Sequence, residues 1–499
     1  MKTFKTQSSH SPLGAGGGLL QMNILLISAL LLGGCNVPNT EPSVIDMDTT
    51  GLRITQSIKE MYEKVQNGKK WVLIGDTIVR KKDIKLHTPP KQVDLGDLKK
   101  KDGSAFKYIA IGGSFTAGVR EGGLHQEGQL TSFPNLLARQ MLISDFSQPL
   151  FNDKDFNGYG YKTLSSYNEN QVPKYKAVSN NNAIRETKEN MSLLNKYNGK
   201  IDNYGVAFLT IPLLFTKFYD EPDYRISANG YPYLEKMITD TDKKNVINAG
   251  RKEINIKSIL TTKNFDLFTL EVGTEEFLNS ALSSGNSIYS LTNRMEATER
   301  DLIAYARQIN AKGIIFTVPD ILDFPYFNLV RTSRLQDMFK KSIYLDYGDI
   351  ATSETRFLLD NTIDSLLNDK IKENKKGLSK ENPLPSTSIL RDNQVQSIQK
   401  VTNYYNNSLS YSARYYNYPI VDLYDIYKKI HSYNYVSRDG VKVDPTFLKG
   451  NFYSSDGIYP SAFGQAVIAN EVIYMLNFYY GTKIAYIDSK EYLLINSKK

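Results

Sequence analysis

The sequence is poor in the side chains that carry most metal and redox chemistry: its 499 residues include one cysteine and four histidines. A single cysteine excludes an intramolecular disulfide and a cysteine-based metal site. Ligand spacing for zinc, an RNA-binding aromatic motif and a helix-turn-helix pattern are also absent. We therefore expect no metal and no nucleic-acid partner. The formal charge of +8 instead suits an anionic membrane surface.

The apolar run near the start, Ile24–Leu32, is too short to span a bilayer. It is followed by LLGGC, which resembles a bacterial lipoprotein signal that is cut before Cys35 so that the thiol receives a lipid. Basic residues lie far upstream of the run, so the start at Met1 or at Met22 stays open. The alternative is a cytosolic chain with an apolar leader and a chance cysteine. The lipoprotein interpretation predicts contact with membrane lipid through Cys35.

Composition divides the rest of the amino-terminal part into two segments. After the signal segment, residues 1–34, a polar stretch with prolines covers residues 35–50 and is typical of a tether. Residues 51–105 are mixed and rich in lysine, and we interpret them as an extension that packs on the main domain. The main domain is predicted to begin near Phe106.

One stretch, Tyr108–Val119, reads YIAIGGSFTAGV and organises the main domain. An apolar run rich in strand-forming residues meets two glycines, which predicts a buried strand that leaves its sheet through a tight turn. Ser114 then lies at the carboxyl end of the strand, where open α/β sheets place their ligands. Such a serine is a candidate nucleophile if a base and an oxyanion site accompany it. Otherwise it satisfies backbone groups at the turn.

Further apolar runs alternate with helical patterns, which predicts an α/β fold with a parallel sheet covered on both faces. Two insertions interrupt it. Residues 148–200 show little periodicity and are interpreted as a surface excursion, and residues 328–391 as a mostly helical, charged insertion. The predicted strands lie at Asn203–Phe208, Phe265–Val272, Gly313–Val318 and Tyr418–Leu423, and the clearest helices at Glu296–Asn310 and Val395–Tyr416.

The order of GGSFTAG, NYGV, EVGTEE and DGIYPSAFGQAVIANE resembles the four sequence blocks of the SGNH (GDSL) hydrolases, and more narrowly their lipoprotein members in Bacteroidota. The resemblance runs from Phe106 to Lys483. It implies a three-layer α/β/α, flavodoxin-like fold over residues 106–487, with residues 488–499 as a tail. It also implies an outer-membrane lipoprotein, facing either side, whose chemistry needs no cofactor.

The resemblance assigns roles to five residues. In the family, the first-block serine attacks an ester carbonyl, and Ser114 matches it. A second-block glycine gives a backbone N–H to the oxyanion hole, and Gly205 is the match. Glu275 occupies the third-block position of an asparagine that completes the hole. In the last block Asp456 matches the orienting aspartate, but Tyr459 replaces the histidine that acts as general base.

These two replacements predict a loss of catalysis. The pKa of tyrosine is about 10, and losing the histidine of a comparable triad costs on the order of 10⁶ in turnover. A carboxylate at position 275 donates no hydrogen bond unless it is protonated, and a lost oxyanion donor costs roughly 10²–10³. We expect the Tyr459 hydroxyl to lie on Asp456, which itself suits a turn of the Asp-Gly type.

A substitute base would have to come from elsewhere. His125, in a loop past the serine turn, is the candidate, and its other interpretation is an exposed loop histidine. His87 and His431 are predicted at the surface, and His10 lies in the leader. A buried Glu275 with a raised pKa is a further alternative.

Two functions from different classes stay open. The first is a lipid-anchored protein with a disabled catalytic site that holds a glycan, a lipid or an outer-membrane protein. The second is an active serine esterase, lipase or carbohydrate deacetylase that uses Ser114 with a substitute base.

Overall fold

A computed structural model describes the chain at residues 52–53, 71–74, 77–80, 84–100, 102–167, 172–188, 191–210, 214, 231–283, 288–368 and 375–493. The predicted signal segment, Cys35, His10 and the tether lie outside the described residues. The strands are β1 (Leu52–Arg53), β2 (Trp71–Ile74), β3 (Thr77–Arg80), β4 (Tyr108–Gly112), β5 (Lys162–Tyr167), β6 (Pro173–Ala177), β7 (Ile184–Lys188), β8 (Met191–Leu194), β9 (Asn203–Gly205), β10 (Leu267–Glu271), β11 (Lys312–Phe316), β12 (Arg356–Phe357), β13 (Ile389–Leu390) and β14 (Ile420–Val421).

Helices cover the sheet and the insertions. In chain order they are α1 (Ser114–Ala117), α2 (Gln126–Leu130), α3 (Phe133–Gln140), α4 (Tyr231–Met237), α5 (Asp240–Asn248), α6 (Ile256–Leu260), α7 (Thr274–Leu282), α8 (Ile288–Gln308), α9 (Pro325–Asn328), α10 (Thr332–Phe339), α11 (Asn361–Leu366), α12 (Asp392–Tyr415), α13 (Leu423–His431) and α14 (Ala462–Tyr480). Short 3-10 turns lie at Gly96–Leu98, Ile321–Asp323, Asp346–Gly348, Ser386–Ser388 and Ser489–Tyr492.

The central sheet has five strands in the order β14-β11-β10-β4-β9, and all neighbours are parallel. Every residue of β4 and β10 is buried, as expected for strands covered on both faces. Helix α3 packs on α14, while α7, α8 and α12 pack on one another. The predicted α/β fold with a parallel sheet is confirmed, and the two helix groups are consistent with an α/β/α architecture.

The first insertion is more regular than predicted. Where we expected an irregular surface excursion, β5 pairs with β6 and β7 pairs with β8 as antiparallel hairpins. Nearly all of β5 is exposed on both faces, so its strands show none of the alternation that identifies a half-buried strand in a sequence.

In its described residues, the second insertion is less helical than predicted. It contains short helices α10 and α11 and the antiparallel pair β12–β13, packed around a small apolar cluster of its own. Val172, next to β6, belongs to the same cluster, so the two insertions share contacts. Gly377, with a φ of +88°, lies in the left-handed region within a turn, and the described residues 375–385 form no helix.

Residues 84–100 lie against the carboxyl-terminal part of the chain. The backbone N–H of His87 donates to the Tyr492 hydroxyl at 3.0 Å, and Arg139 donates to the His87 carbonyl at 2.7 Å. His87 is 2% exposed, so the prediction of a surface histidine was wrong. Burial lowers its pKa to about 4, and the neighbouring Arg139 charge acts in the same direction.

Tyr326 ties the second insertion to the last sequence block. Its backbone N–H donates to the Gly457 carbonyl at 3.1 Å, and its hydroxyl accepts from the N–H of Leu359 at 3.1 Å. Among the described residues, the helices are all too short or too polar to cross a bilayer.

Candidate active site

The turn that follows β4 presents Ser114 at the start of α1. Gly112 is required there, because a Cβ would lie 2.0 Å from Thr116 Oγ1 and 2.5 Å from the Glu271 carbonyl oxygen. Ser114 is only 1% exposed, so the candidate nucleophile is closed off from solvent in this structure.

A backbone N–H reaches Ser114 from the loop after β9. The N–H of Phe208 donates to Ser114 Oγ at 2.9 Å. Phe208 has a φ of +58°, in the left-handed region that a β-carbon disfavours. Its ring contacts Tyr459 edge-on, with centroids 6.1 Å apart.

Gly205 has a different task from the predicted one. Its N–H donates to Asn203 Oδ1 at 2.8 Å, so it is already used within its own strand. A Cβ on Gly205 would lie 2.4 Å from the backbone nitrogen of Ala117. Gly205 therefore lets α1 pack against β9, and the N–H directed at Ser114 belongs to Phe208. A backbone donor carries no side-chain signature, which is why sequence reasoning placed it three residues too early.

Glu275 lies in the first turn of α7 and is 2% exposed. The Tyr459 hydroxyl donates to its Oε1 at 3.2 Å and to its Oε2 at 3.3 Å. Burial raises the pKa of Glu275 to about 8; a hydrogen bond with Ser114 opposes the rise, and the nearby charges of Glu271 and Glu276 add to it. At neutral pH the carboxyl group is mainly protonated.

Tyr459 is a neutral donor in this arrangement. Burial raises its pKa well above 10, and the negative charge of Glu275 raises it further. The ring also packs edge-on against Phe115, with centroids 6.2 Å apart. A phenol in this setting does not supply a phenolate base at neutral pH.

Asp456 is occupied by backbone groups. Its Oδ1 accepts from the N–H groups of Ile458 and Tyr459, each at 2.9 Å, and its Oδ2 accepts from Gly122 at 2.9 Å. The expectation that the Tyr459 hydroxyl lies on Asp456 was therefore wrong, because that hydroxyl lies on Glu275. Burial raises the pKa of Asp456, and the backbone hydrogen bonds oppose the shift.

His125 caps a helix. Its Nδ1 accepts from Gly128 N–H at 3.2 Å at the start of α2, and its Nε2 lies 2.9 Å from Glu121 Oε2. At 4% exposure it is buried, so the interpretation as an exposed loop histidine was wrong. Both ring nitrogens have partners other than Ser114. His431, by contrast, keeps 40% of its side chain exposed.

Glu271, which sequence reasoning missed, holds the serine turn in place. Its Oε2 accepts from Gly113 N–H and from Thr116 Oγ1, each at 3.1 Å, and its Oε1 accepts from Thr274 Oγ1 at 3.1 Å. Burial raises its pKa to about 7, against these hydrogen bonds. The sequence could have indicated Glu271 by its position at the end of a predicted strand.

The side chains of Glu275 and Tyr459 are hydrogen-bonded to Ser114. Asp456 accepts hydrogen bonds from the backbone nearby, and Gly205 lets α1 pack against β9. No cluster of three or more potential ligand side chains is arranged for a metal ion within the described part of the chain.

Comparison with protein-family models gives a match to the GDSL-like lipase/acylhydrolase model over residues 108–472. That span contains the serine turn, both insertions and the last sequence block. Comparison with curated proteins gives no match.

Proposed function

Because the chain belongs to the family of GDSL-like lipases and acylhydrolases, we propose that it keeps the hydrolase fold but is catalytically impaired and serves as a lipid-anchored binding or assembly protein. The observation that carries the proposal is the Glu275–Tyr459 pair beside the closed-off Ser114.

The pair lacks the general base of the family's reaction. Attack by a serine requires a group that takes up its proton near working pH. Tyr459 is neutral and has its hydroxyl on Glu275, and Glu275 is mainly protonated at neutral pH. His125 has its two nitrogens on Gly128 and Glu121. Ester hydrolysis is therefore expected to be very slow.

An ester-hydrolysis assay tests this proposal. The purified protein and its Ser114→Ala variant are compared on short acyl nitrophenyl esters and acetylated sugars, with labelling by an organophosphonate. We expect equal background rates and no covalent labelling. Turnover that disappears in Ser114→Ala would refute the proposal. The double variant Glu275→Asn with Tyr459→His, which restores the family's residue types, is expected to exceed the background.

The membrane assignment rests on the LLGGC sequence before Asn36 and on the short apolar run that precedes it. Under the proposal, Cys35 carries a lipid and the protein is held at the outer membrane, where it binds a glycan, a lipid or an outer-membrane protein. Incorporation of labelled fatty acid into the native protein, abolished in Cys35→Ala, is the expected result. Labelling that survives in Cys35→Ala would show that the lipid is attached elsewhere and would refute Cys35 as the anchor.

One observation favours an active enzyme as a second candidate. Ser114, Glu275 and Tyr459 form a hydrogen-bonded series in the order nucleophile, acid-base group and orienting group. Glu275, with a pKa of about 8, would become a base as pH rises. An esterase or deacetylase of this kind would gain activity between pH 7 and pH 9 and lose it in Glu275→Gln. A flat pH profile eliminates this candidate.

A further inference from the structure

A surface far from Ser114 carries exposed aromatic rings on two helices. On α12, Tyr404, Tyr411 and Tyr415 are 58%, 70% and 73% exposed, and on α14 Phe478 and Tyr479 are 74% and 38% exposed. We call these five residues the aromatic edge. Large rings left in water at such density mark an interaction surface.

The rings of α12 form one stripe. Positions 404, 411 and 415 are separated by seven and four residues, so they project from the same face of the helix over about 16 Å of its length. The polar residues between them do not cover the rings.

The two helices meet at their carboxyl ends. The Tyr479 hydroxyl donates to Asn417 Oδ1 at 2.6 Å, just after α12 ends, and Tyr415 packs edge-on against Tyr416 at 5.0 Å. Phe478 stacks on Tyr474 at 6.2 Å. The aromatic edge is therefore continuous from α12 to α14.

The chain segments that carry these rings contain basic but no acidic residues, and the one acidic residue of α14, Glu471, is paired with Arg438 at 2.8 Å. From Asn393 to Val421 the chain contains no Asp or Glu, and its charged residues are Lys400 and Arg414; Val472–Thr482 carries no charge. Lys312 lies over the ring of Tyr480 at 5.8 Å, and Arg307 lowers the pKa of Tyr418 against the rise that burial causes.

This surface lies at the amino-terminal ends of the parallel strands, whereas Ser114 lies at their carboxyl-terminal ends. Asn417 comes before β14, whereas Ser114 follows β4, and the strands of the sheet are parallel. Whatever occupies the aromatic edge does so without covering the serine turn.

We infer that the aromatic edge docks on the headgroup layer of an anionic lipid bilayer. Amphipathic tyrosine rings suit the interface between water and hydrocarbon, where one end is apolar and the other is wet. Lys400 and Arg414, which are exposed on α12, complement lipid phosphates. The contact uses α12 and α14 only and does not depend on the proposed lipid at Cys35.

The test uses the full chain with Cys35→Ala, so that no acyl lipid contributes, and vesicles of phosphatidylethanolamine and phosphatidylglycerol or of phosphatidylcholine alone. We expect co-sedimentation with the anionic vesicles that weakens with salt, and slower hydrogen exchange at residues 404–417 and 474–480 when vesicles are present. The triple variant Tyr411→Ser, Tyr415→Ser and Phe478→Ser should bind about tenfold more weakly, as should Lys400→Gln with Arg414→Gln.

The matched control is Tyr347→Ser in the second insertion, because Tyr347 is 89% exposed and remote in sequence from both helices. It should bind vesicles as the parent does. Equal binding by the parent and both edge variants would overturn the inference, because binding would then come from another part of the chain. Binding of a soluble polysaccharide or a protein at these residues without any vesicle binding would overturn it as well.

Discussion

At the scale of single residues, Glu275 and Tyr459 are best understood as one feature. A glutamate buried beside Ser114 is tolerated because it is mainly protonated at neutral pH and because the Tyr459 hydroxyl donates to it. Within the described residues, the groups that shift its pKa are Ser114, Glu271, Glu276 and Tyr459, and none of these is a cation that would stabilise an ionised carboxylate. Either replacement without the other would leave a buried polar group with a poorer partner.

Glu275 should make stability depend on pH. Its folded pKa of about 8 lies above the ordinary value of 4.5, so the folded chain holds the proton more tightly and stability falls as pH rises between these values. In Glu275→Gln this fall should shrink. The variant should match the parent near pH 5 and exceed it near pH 9 by on the order of a few kcal/mol in the free energy of unfolding, measured with urea.

Glu354→Gln is the control for that experiment, because Glu354 is 57% exposed and lies 3.9 Å from Arg356. It should show the parent's dependence on pH. A difference between Glu275→Gln and the parent that is the same at pH 5 and pH 9 would contradict the assigned titration. Glu271, with a pKa of about 7, titrates in both proteins and leaves part of the slope in place.

The order of the sequence blocks was enough to select Ser114, Glu275, Asp456 and Tyr459 as candidate site residues. It did not reveal which atoms meet. The tyrosine hydroxyl goes to Glu275 because Asp456 is already filled by three backbone N–H groups. The sequence did not point to Phe208, because this residue contributes a backbone N–H in a left-handed conformation, and neither property can be recognised from the residue type.

At the scale of elements, the close approach of α1 to β9 fixes the serine turn. Gly205→Ala should place a Cβ 2.4 Å from the Ala117 nitrogen, so the helix or the strand must move. We expect a loss of about 1–3 kcal/mol in the free energy of unfolding, measured by chemical denaturation.

Gly113→Ala is the matched control in the same turn. Its φ is −92°, and the nearest atom to an added Cβ is Glu275 Cγ at 3.4 Å, an ordinary contact distance. It should cost much less than Gly205→Ala. Equal losses in the two variants would mean that the turn rejects any β-carbon, whatever the packing of α1.

Strands of the central sheet were predictable because parallel strands covered on both faces are nearly continuous apolar runs. Their ends were harder to place. The run Asn203–Phe208 looks like one strand, but β9 ends at Gly205, and the chain then turns so that Phe208 faces Ser114. The hairpins of the first insertion lack a buried face and so left no periodic signal.

At the scale of the whole molecule, the buried apolar side chains of the described residues fall into two clusters, one around the central sheet and one mainly within the second insertion. Phe357 is fully buried in the smaller cluster. Phe357→Ala should destabilise the insertion by about 3–5 kcal/mol and raise hydrogen exchange mainly within residues 330–390.

Phe268→Ala provides the comparison, since Phe268 is buried in the cluster around the sheet. It should raise exchange in the central strands as well as in the insertion. If Phe357→Ala raises exchange equally in β4 and β10, the two clusters unfold as a single unit. Sequence reasoning placed the insertion but not its separate core, because its apolar residues are far apart in the chain and meet only after folding.

Tyr326 connects the second insertion to the turn that bears Asp456 and Tyr459. Its hydroxyl accepts a hydrogen bond from the Leu359 N–H, and its backbone N–H donates to the Gly457 carbonyl. A displacement of the insertion at Leu359 reaches that turn through Tyr326, from its hydroxyl to its backbone N–H and on to the Gly457 carbonyl. Gly457 lies two residues before Tyr459, so a molecule bound to the insertion would act on the turn beside Ser114 from outside the site.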